Sequence, residues 1–142
     1  MTAPRSVTIQ LQDASQAQIF LQSFSLSGGS WATPPGAPVP GTVISPTSTP
    51  SYVNAAGTVY DTIGGTINLA PASGGQITIT WSWTFGSLVT ASATSSSLSG
   101  IAVTYLLSGT QGTNPTLQVT TQNAASLEAS FKEAVRASAH SR

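Results

Sequence analysis

Hydrophobic and polar residues alternate with a period of two along several stretches of the chain. From Ser6 to Gln12, Val7, Ile9 and Leu11 fall on one side, and Thr8, Gln10 and Gln12 on the other. That is the pattern of a strand with one buried face. Ile19 and Leu21 face one way while Phe20, Phe24 and Leu26 face the other, with Gln22 in phase. A second strand follows, apolar on both sides at its start. The most regular stretch is Gln76 to Phe85, where Ile77, Ile79, Trp81, Trp83 and Phe85 share one face and Gln76, Thr78, Thr80, Ser82 and Thr84 the other. Ile101, Val103, Tyr105 and Leu107 predict another strand, Thr66 to Ala70 one more, and Leu117 with Val119 a short last one. Tyr52 to Tyr60 and the Ser/Thr run from Ala91 to Ser99 stay open between short strand and loop.

The breaks between these stretches are built from glycine and proline. Gly28-Gly29 stops the second strand just before Trp31, and Gly64-Gly65 is expected to turn the chain into Thr66. Pro71 to Gly75 and Ser108 to Pro115 read as further turns. Six of the nine prolines lie between residues 34 and 50; a residue without an amide hydrogen belongs there to an edge, a turn or an extended connection. Seven or eight short strands with no helix between them predict an all-β domain, a two-sheet β-sandwich. No internal repeat is visible.

After Asn123 the pattern changes. Ala124 to Ala139 is rich in Ala, Glu, Lys and Arg, and Leu127, Phe131 and Val135 recur four apart, with Glu128 four before Lys132. This predicts a short C-terminal helix with one apolar stripe. Such a stripe needs a surface to cover it, because an isolated helix of this length is marginal in water. The expected organisation is a β-sandwich domain over 1–122 and a helical tail over 123–142.

Charge then narrows the function. Only 6% of the 142 residues are charged, against about 25% in an average protein. Between Asp13 and Glu128 the one formal charge is Asp61, and the net charge is zero. Copies of such a surface repel one another little. A nucleic-acid partner is excluded, because phosphate binding needs clustered Lys or Arg and the β region has none. Disorder is excluded by the 39% hydrophobic content and its ordered alternation. No apolar run approaches the about 20 residues of a membrane-spanning helix, and Met1 to Gln12 lacks the apolar core of a signal peptide. The expectation is cytoplasmic synthesis, with later release or incorporation into a virion both open. The chain has no cysteine, so disulfides and thiolate metal sites are excluded.

Catalysis needs ionisable groups held together. Asp61 stands alone between Asp13 and Glu128, and the single histidine, His140, lies near the C-terminus. No catalytic set, metal-ligand set or cofactor motif can be assembled. Asp61 is either a turn residue capping a backbone amide or a contact for a polar head group. The aromatics are the candidates that remain. Trp81 and Trp83 are expected to be mostly buried, whereas Trp31, between a Gly-Gly break and a proline-rich stretch, is placed for exposure. Exposed Trp and Tyr in uncharged surroundings suit sugar faces, choline-type head groups or the bilayer interface. Trp31, Tyr52, Tyr60, Trp83 and Phe85 form the candidate lipid-binding set.

The order of these features resembles the aegerolysins, in particular their bacterial members. The matching residues are Gly28-Gly29-Ser30-Trp31 with Pro34-Pro35 and Gly41, then Gly64-Gly65-Thr66-Ile67-Asn68-Leu69. Gly74-Gly75-Gln76-Ile77-Thr78-Ile79-Thr80-Trp81, Gly86 and the strand Val103 to Leu107 complete the pattern over roughly residues 6–121. The resemblance implies a cysteine-poor β-sandwich that binds membrane lipids, typically sphingolipids or their relatives, sometimes with a partner protein that forms a pore. The sequence departs from the family after Trp81, where Ser82-Trp83-Thr84-Phe85 replaces an acidic segment containing Asn and Pro. It departs again in its low charge and in the tail. Two functions are therefore expected: a non-catalytic lipid-binding module, or a structural subunit of a homomeric assembly (virion, tail or coat). In the second, the stripe of Leu127, Phe131 and Val135 docks on a neighbouring copy.

Overall fold

The alternating segments pair into two five-stranded sheets. The computed structural model describes residues 5–15, 18–32, 36–44, 49–72, 74–98 and 100–123. The predicted helix, with Leu127, Phe131 and Val135, lies outside the described residues. The strands are β1 (Ser6–Ala14), β2 (Ile19–Gly28), β3 (Ser30–Trp31), β4 (Val43–Ile44) and β5 (Ser51–Ala55), followed by β6 (Ile63–Pro71), β7 (Gln76–Trp83), β8 (Thr90–Ser96), β9 (Ile101–Ser108) and β10 (Thr116–Asn123). One sheet runs β3-β5-β1-β10-β9 and the other β4-β2-β6-β7-β8. The all-β sandwich is as expected, but the described residues form ten strands rather than seven or eight. The two additional strands, β3 and β4, are two residues long each, too short to leave a periodic signal.

The core lies between the sheets. Val7, Ile9 and Leu11 of β1 and Leu117 and Val119 of β10 face Ile63, Ile67 and Leu69 of β6 and Ile77, Ile79 and Trp81 of β7, all buried. β1 and β10 lie side by side in parallel, Thr8 opposite Thr116 and Ala14 opposite Gln122. Asp13 fastens the far end of this pair: its Oδ1 accepts from the Ser15 amide (2.9 Å), the Ser15 hydroxyl and the Thr121 hydroxyl (2.9 Å).

Three sequence expectations are corrected by the packing. In β2 the register against β6 shifts between Leu21 and Ser23. The extra residue is a β-bulge and reverses the phase of the strand, so Ile19, Leu21, Phe24 and Leu26 all pack toward the same core. Gly64 and Gly65 do not turn the chain; they lie inside β6, opposite Ser82 and Trp81. A Cβ on Gly65 would come within 2.7 Å of the Trp81 ring and of the Ser25 carbonyl, so glycine is required by close approach. β7 ends at Trp83, and Phe85 leaves the core-facing row for a turn in which Gly86 has φ of 85°.

Candidate functional site

Two neighbouring loops at one end of the sandwich carry apolar side chains into solvent. The first, residues 56–62, joins β5 to β6; the second, residues 84–89, joins β7 to β8. Val59 (43% exposed), Tyr60 (71%), Phe85 (54%) and Leu88 (63%) project from them. The Tyr60 and Phe85 rings meet edge-to-face with centroids 4.9 Å apart. Large apolar groups on loop tips are the reverse of ordinary loop composition, which makes this tip the candidate site.

This tip is held rigidly from within. Asp61 Oδ2 accepts from the amides of Gly57 (2.9 Å) and Thr58 (3.0 Å), and Oδ1 from the Thr58 hydroxyl (3.1 Å). The Thr58 amide and hydroxyl, with the Gly57 amide, hold the Asp61 carboxyl below the ordinary range. Of its two expected roles, Asp61 takes the capping one. Arg5, buried just before β1, fastens both loops. Its Nη1 donates to the carbonyls of Val59 (3.0 Å) and Asp61 (2.6 Å), and its Nη2 reaches the Trp83 carbonyl at 3.4 Å. The guanidinium lies over the Trp83 ring, 4.1 Å from its centroid, a cation–π contact shielded from water. Trp83 Nε1 donates to the Ser87 carbonyl (3.0 Å) and closes the second loop. The only cation among the described residues is therefore spent on scaffolding, and the tip presents no charge except the capping carboxylate.

Beside the second loop, the outer face of β7 and β8 carries a shallow hollow of about 280 Å³. Thr80, Trp81, Ser82, Thr90, Ala91 and Ser92 line it. Thr80 and Ser92 share a hydroxyl–hydroxyl hydrogen bond of 2.9 Å, and Ser82 pairs with Thr90 at the strand ends that lead into the loop. An uncharged hollow, with four hydroxyl side chains among its lining residues, thus adjoins an apolar tip.

The five residues of the candidate set divide into two groups. Tyr60, Trp83 and Phe85 come together at the tip, with Tyr60 and Phe85 on its surface and Trp83 buried beneath. Trp31 and Tyr52 belong elsewhere. Trp31 is half-buried rather than exposed, because β3 pairs with β5 and lays its ring edge-on against Phe24, Tyr52 and Trp81 at centroid distances of 5.9–6.2 Å. Burial raises the Tyr52 phenol above its ordinary pKa. Next to this cluster the buried Asn54 accepts from Trp81 Nε1 (3.0 Å) and donates to the Gly28 carbonyl (3.1 Å), tying the two sheets together. Val59 and Leu88 were missed as tip residues, although apolar residues beside Gly57 and Gly86 were the available signal.

Known structures share this architecture. IP-1A from Alcaligenes faecalis superposes with a TM-score of 0.66 at 12% identity, covering 86% of this chain and 93% of that one. Nakanori, described as a lipid binding protein, gives a TM-score of 0.66 at 12% identity, with 86% and 73% covered. The Xerocomus chrysenteron lectin XCL gives 0.52 at 10% identity, with 82% and 99% covered. No protein-family model matches the sequence, and no curated protein matches it. The resemblance to aegerolysins read from the glycine and tryptophan motifs thus holds at the level of the fold.

Proposed function

We propose that this chain is a non-catalytic lipid-binding module that engages a membrane surface through the tip of residues 56–62 and 84–89. The observation that carries this reading is the pair of exposed, mutually packed rings of Tyr60 and Phe85, flanked by Val59 and Leu88, on a tip whose backbone is fixed by Arg5 and Asp61. Aromatic groups with one polar end settle at the bilayer interface. A preorganised tip loses little conformational entropy on insertion. The uncharged hollow beside it, with hydroxyl and apolar groups in its lining, suits an uncharged or zwitterionic head group, and Nakanori, of the same fold, is a lipid binding protein. The finer attributes implied by the aegerolysin resemblance, a sphingolipid-type head group and a pore-forming partner protein, belong to this proposal.

Co-sedimentation with phosphatidylcholine vesicles, with and without a sphingolipid, tests it. Full burial of one aromatic side chain is worth about 1.5–3 kcal/mol, so Phe85→Ala and Tyr60→Ala should each weaken binding about tenfold or more. Neither should lower the melting temperature appreciably, because both rings are solvent-exposed. Binding should also hold between about 50 and 500 mM salt, since Arg5, the one cation among the described residues, is bound inside the tip. A steep loss with salt would move the contact to the basic residues of the tail.

A further inference from the structure

The two sides of the sandwich end differently. On one side the edge strands are β3 and β4, two residues each, and residues 34–50 around β4 hold six prolines. Short edges and proline are devices that prevent strands of other molecules from adding on. On the other side the edges are β8, seven residues, and β9, eight residues. Neither contains Lys, Arg, Asp, Glu, Pro or Gly. Both pair with their inner neighbours without a register shift. β9 also shows successive apolar side chains, Tyr105 (48% exposed) and Leu106 (63%), one on each face of the sheet. Short length and neighbouring prolines thus protect the first side, and among the described residues neither protects the second.

We propose that β9 is an interface for a second copy of this chain, which adds antiparallel to it across a two-fold axis and extends the β3-β5-β1-β10-β9 sheet. A second copy is the occupant for reasons of charge and phase. Edge pairing usually places charged side chains opposite one another, and like charges across strands repel. Here no cross-strand pair carries a charge in any register. Directly opposite residues of an antiparallel pair share a face. With Tyr105 opposite Tyr105 of the second copy, Val103 falls opposite Leu107, and Thr104 opposite Leu106. Val103 and Leu107 already pack against the core, and Tyr105 is in their row, so the second copy continues an apolar row that otherwise ends in water. The inference does not rest on lipid binding, and the tip is not part of the interface.

Sedimentation velocity of the full chain over roughly 5–200 µM is the first test, and a dimer is expected. Thr104→Lys, which puts like charges on both sides of the two-fold axis, should leave the circular dichroism spectrum unchanged and give a monomer. Cross-linking supplies an arm independent of that variant's folding. The chain has no native cysteine, so Tyr105→Cys should form a disulfide-linked dimer on mild oxidation; opposed antiparallel residues lie within disulfide reach, about 4.5–5.5 Å between Cα atoms. Leu88→Cys, at a more exposed position on the tip, should form it no faster than random collision. A wild-type monomer throughout the range, a dimer unaffected by Thr104→Lys, or equal cross-linking of the two cysteine variants would each overturn the proposal.

Discussion

Arg5 shows how one side chain sets the geometry of a site that it does not itself present. The carbonyls it binds are 54, 56 and 78 residues away along the chain. Nothing local in the sequence joins Arg5 to either loop, whereas the capping role of Asp61, three and four residues from its partners, was readable from turn chemistry. The guanidinium fork bonds both loops at once while stacking on Trp83; an ammonium is a compact point charge and does not reproduce this. Arg5→Lys should therefore leave the sandwich folded but release the tip. Hydrogen bonds to a charged group contribute about 1.5–3 kcal/mol, and urea denaturation should show a loss toward the lower end of that range. Amide exchange should accelerate in residues 57–62 and 84–88 while β6 and β10 keep their protection. Vesicle binding should fall more than the small loss of folded protein explains. A uniform rise in exchange through the strands would instead make Arg5 an ordinary stability residue.

At the scale of elements, β6 and β7 form the contact on which the core depends. The Trp81 ring lies over the backbone of Gly65, which leaves no room for a side chain. Gly65→Ala would place a methyl group below 3.0 Å from the Trp81 ring, the Ser25 carbonyl and the Leu26 side chain. Overpacking of this kind costs about 1–3 kcal/mol, to be seen as a lower urea midpoint with an unchanged slope. Stability equal to wild type would mean that the ring has another resting place. The same contact explains what the sequence concealed. A glycine pair looks the same whether it turns a chain or admits a ring, and only the opposing strand decides. β1 and β7 were legible because period-two alternation reports a single buried face directly. The bulge in β2 was not, since an inserted residue makes one strand look like two with opposite phases. The parallel pairing of β1 with β10 was beyond reach as well: alternation gives faces, not neighbours. At the tip, Tyr60 and Phe85 were legible as candidate aromatics, but the alternation carried the strand on through Phe85, in phase with Trp83, whereas β7 ends at Trp83.

At the scale of the whole molecule, the tip and the open edge have a joint consequence. β9 runs toward the tip: its last residue, Ser108, lies beside Thr116 and, through β10, beside Thr8 at the start of β1, where Arg5 anchors the loops. Antiparallel addition of a second copy across β9 reverses the direction of every strand. The two tips of the dimer then point away from each other, one at each end. A body with one binding tip coats a vesicle; a body with two opposed tips joins vesicles, its second tip engaging a separate vesicle from solution. Wild-type protein added to neutral vesicles should therefore raise turbidity, most strongly when vesicles and dimers are near equal in number and less when protein is in excess and every tip finds its own surface. Thr104→Lys should bind the vesicles as tightly per chain yet leave the suspension clear. Phe85→Ala should reduce binding and turbidity together while the protein stays dimeric. If Thr104→Lys clusters vesicles as wild type does, the bridge is not the β9 dimer. If wild type is dimeric and bound yet never clusters, the two tips of the dimer do not oppose one another.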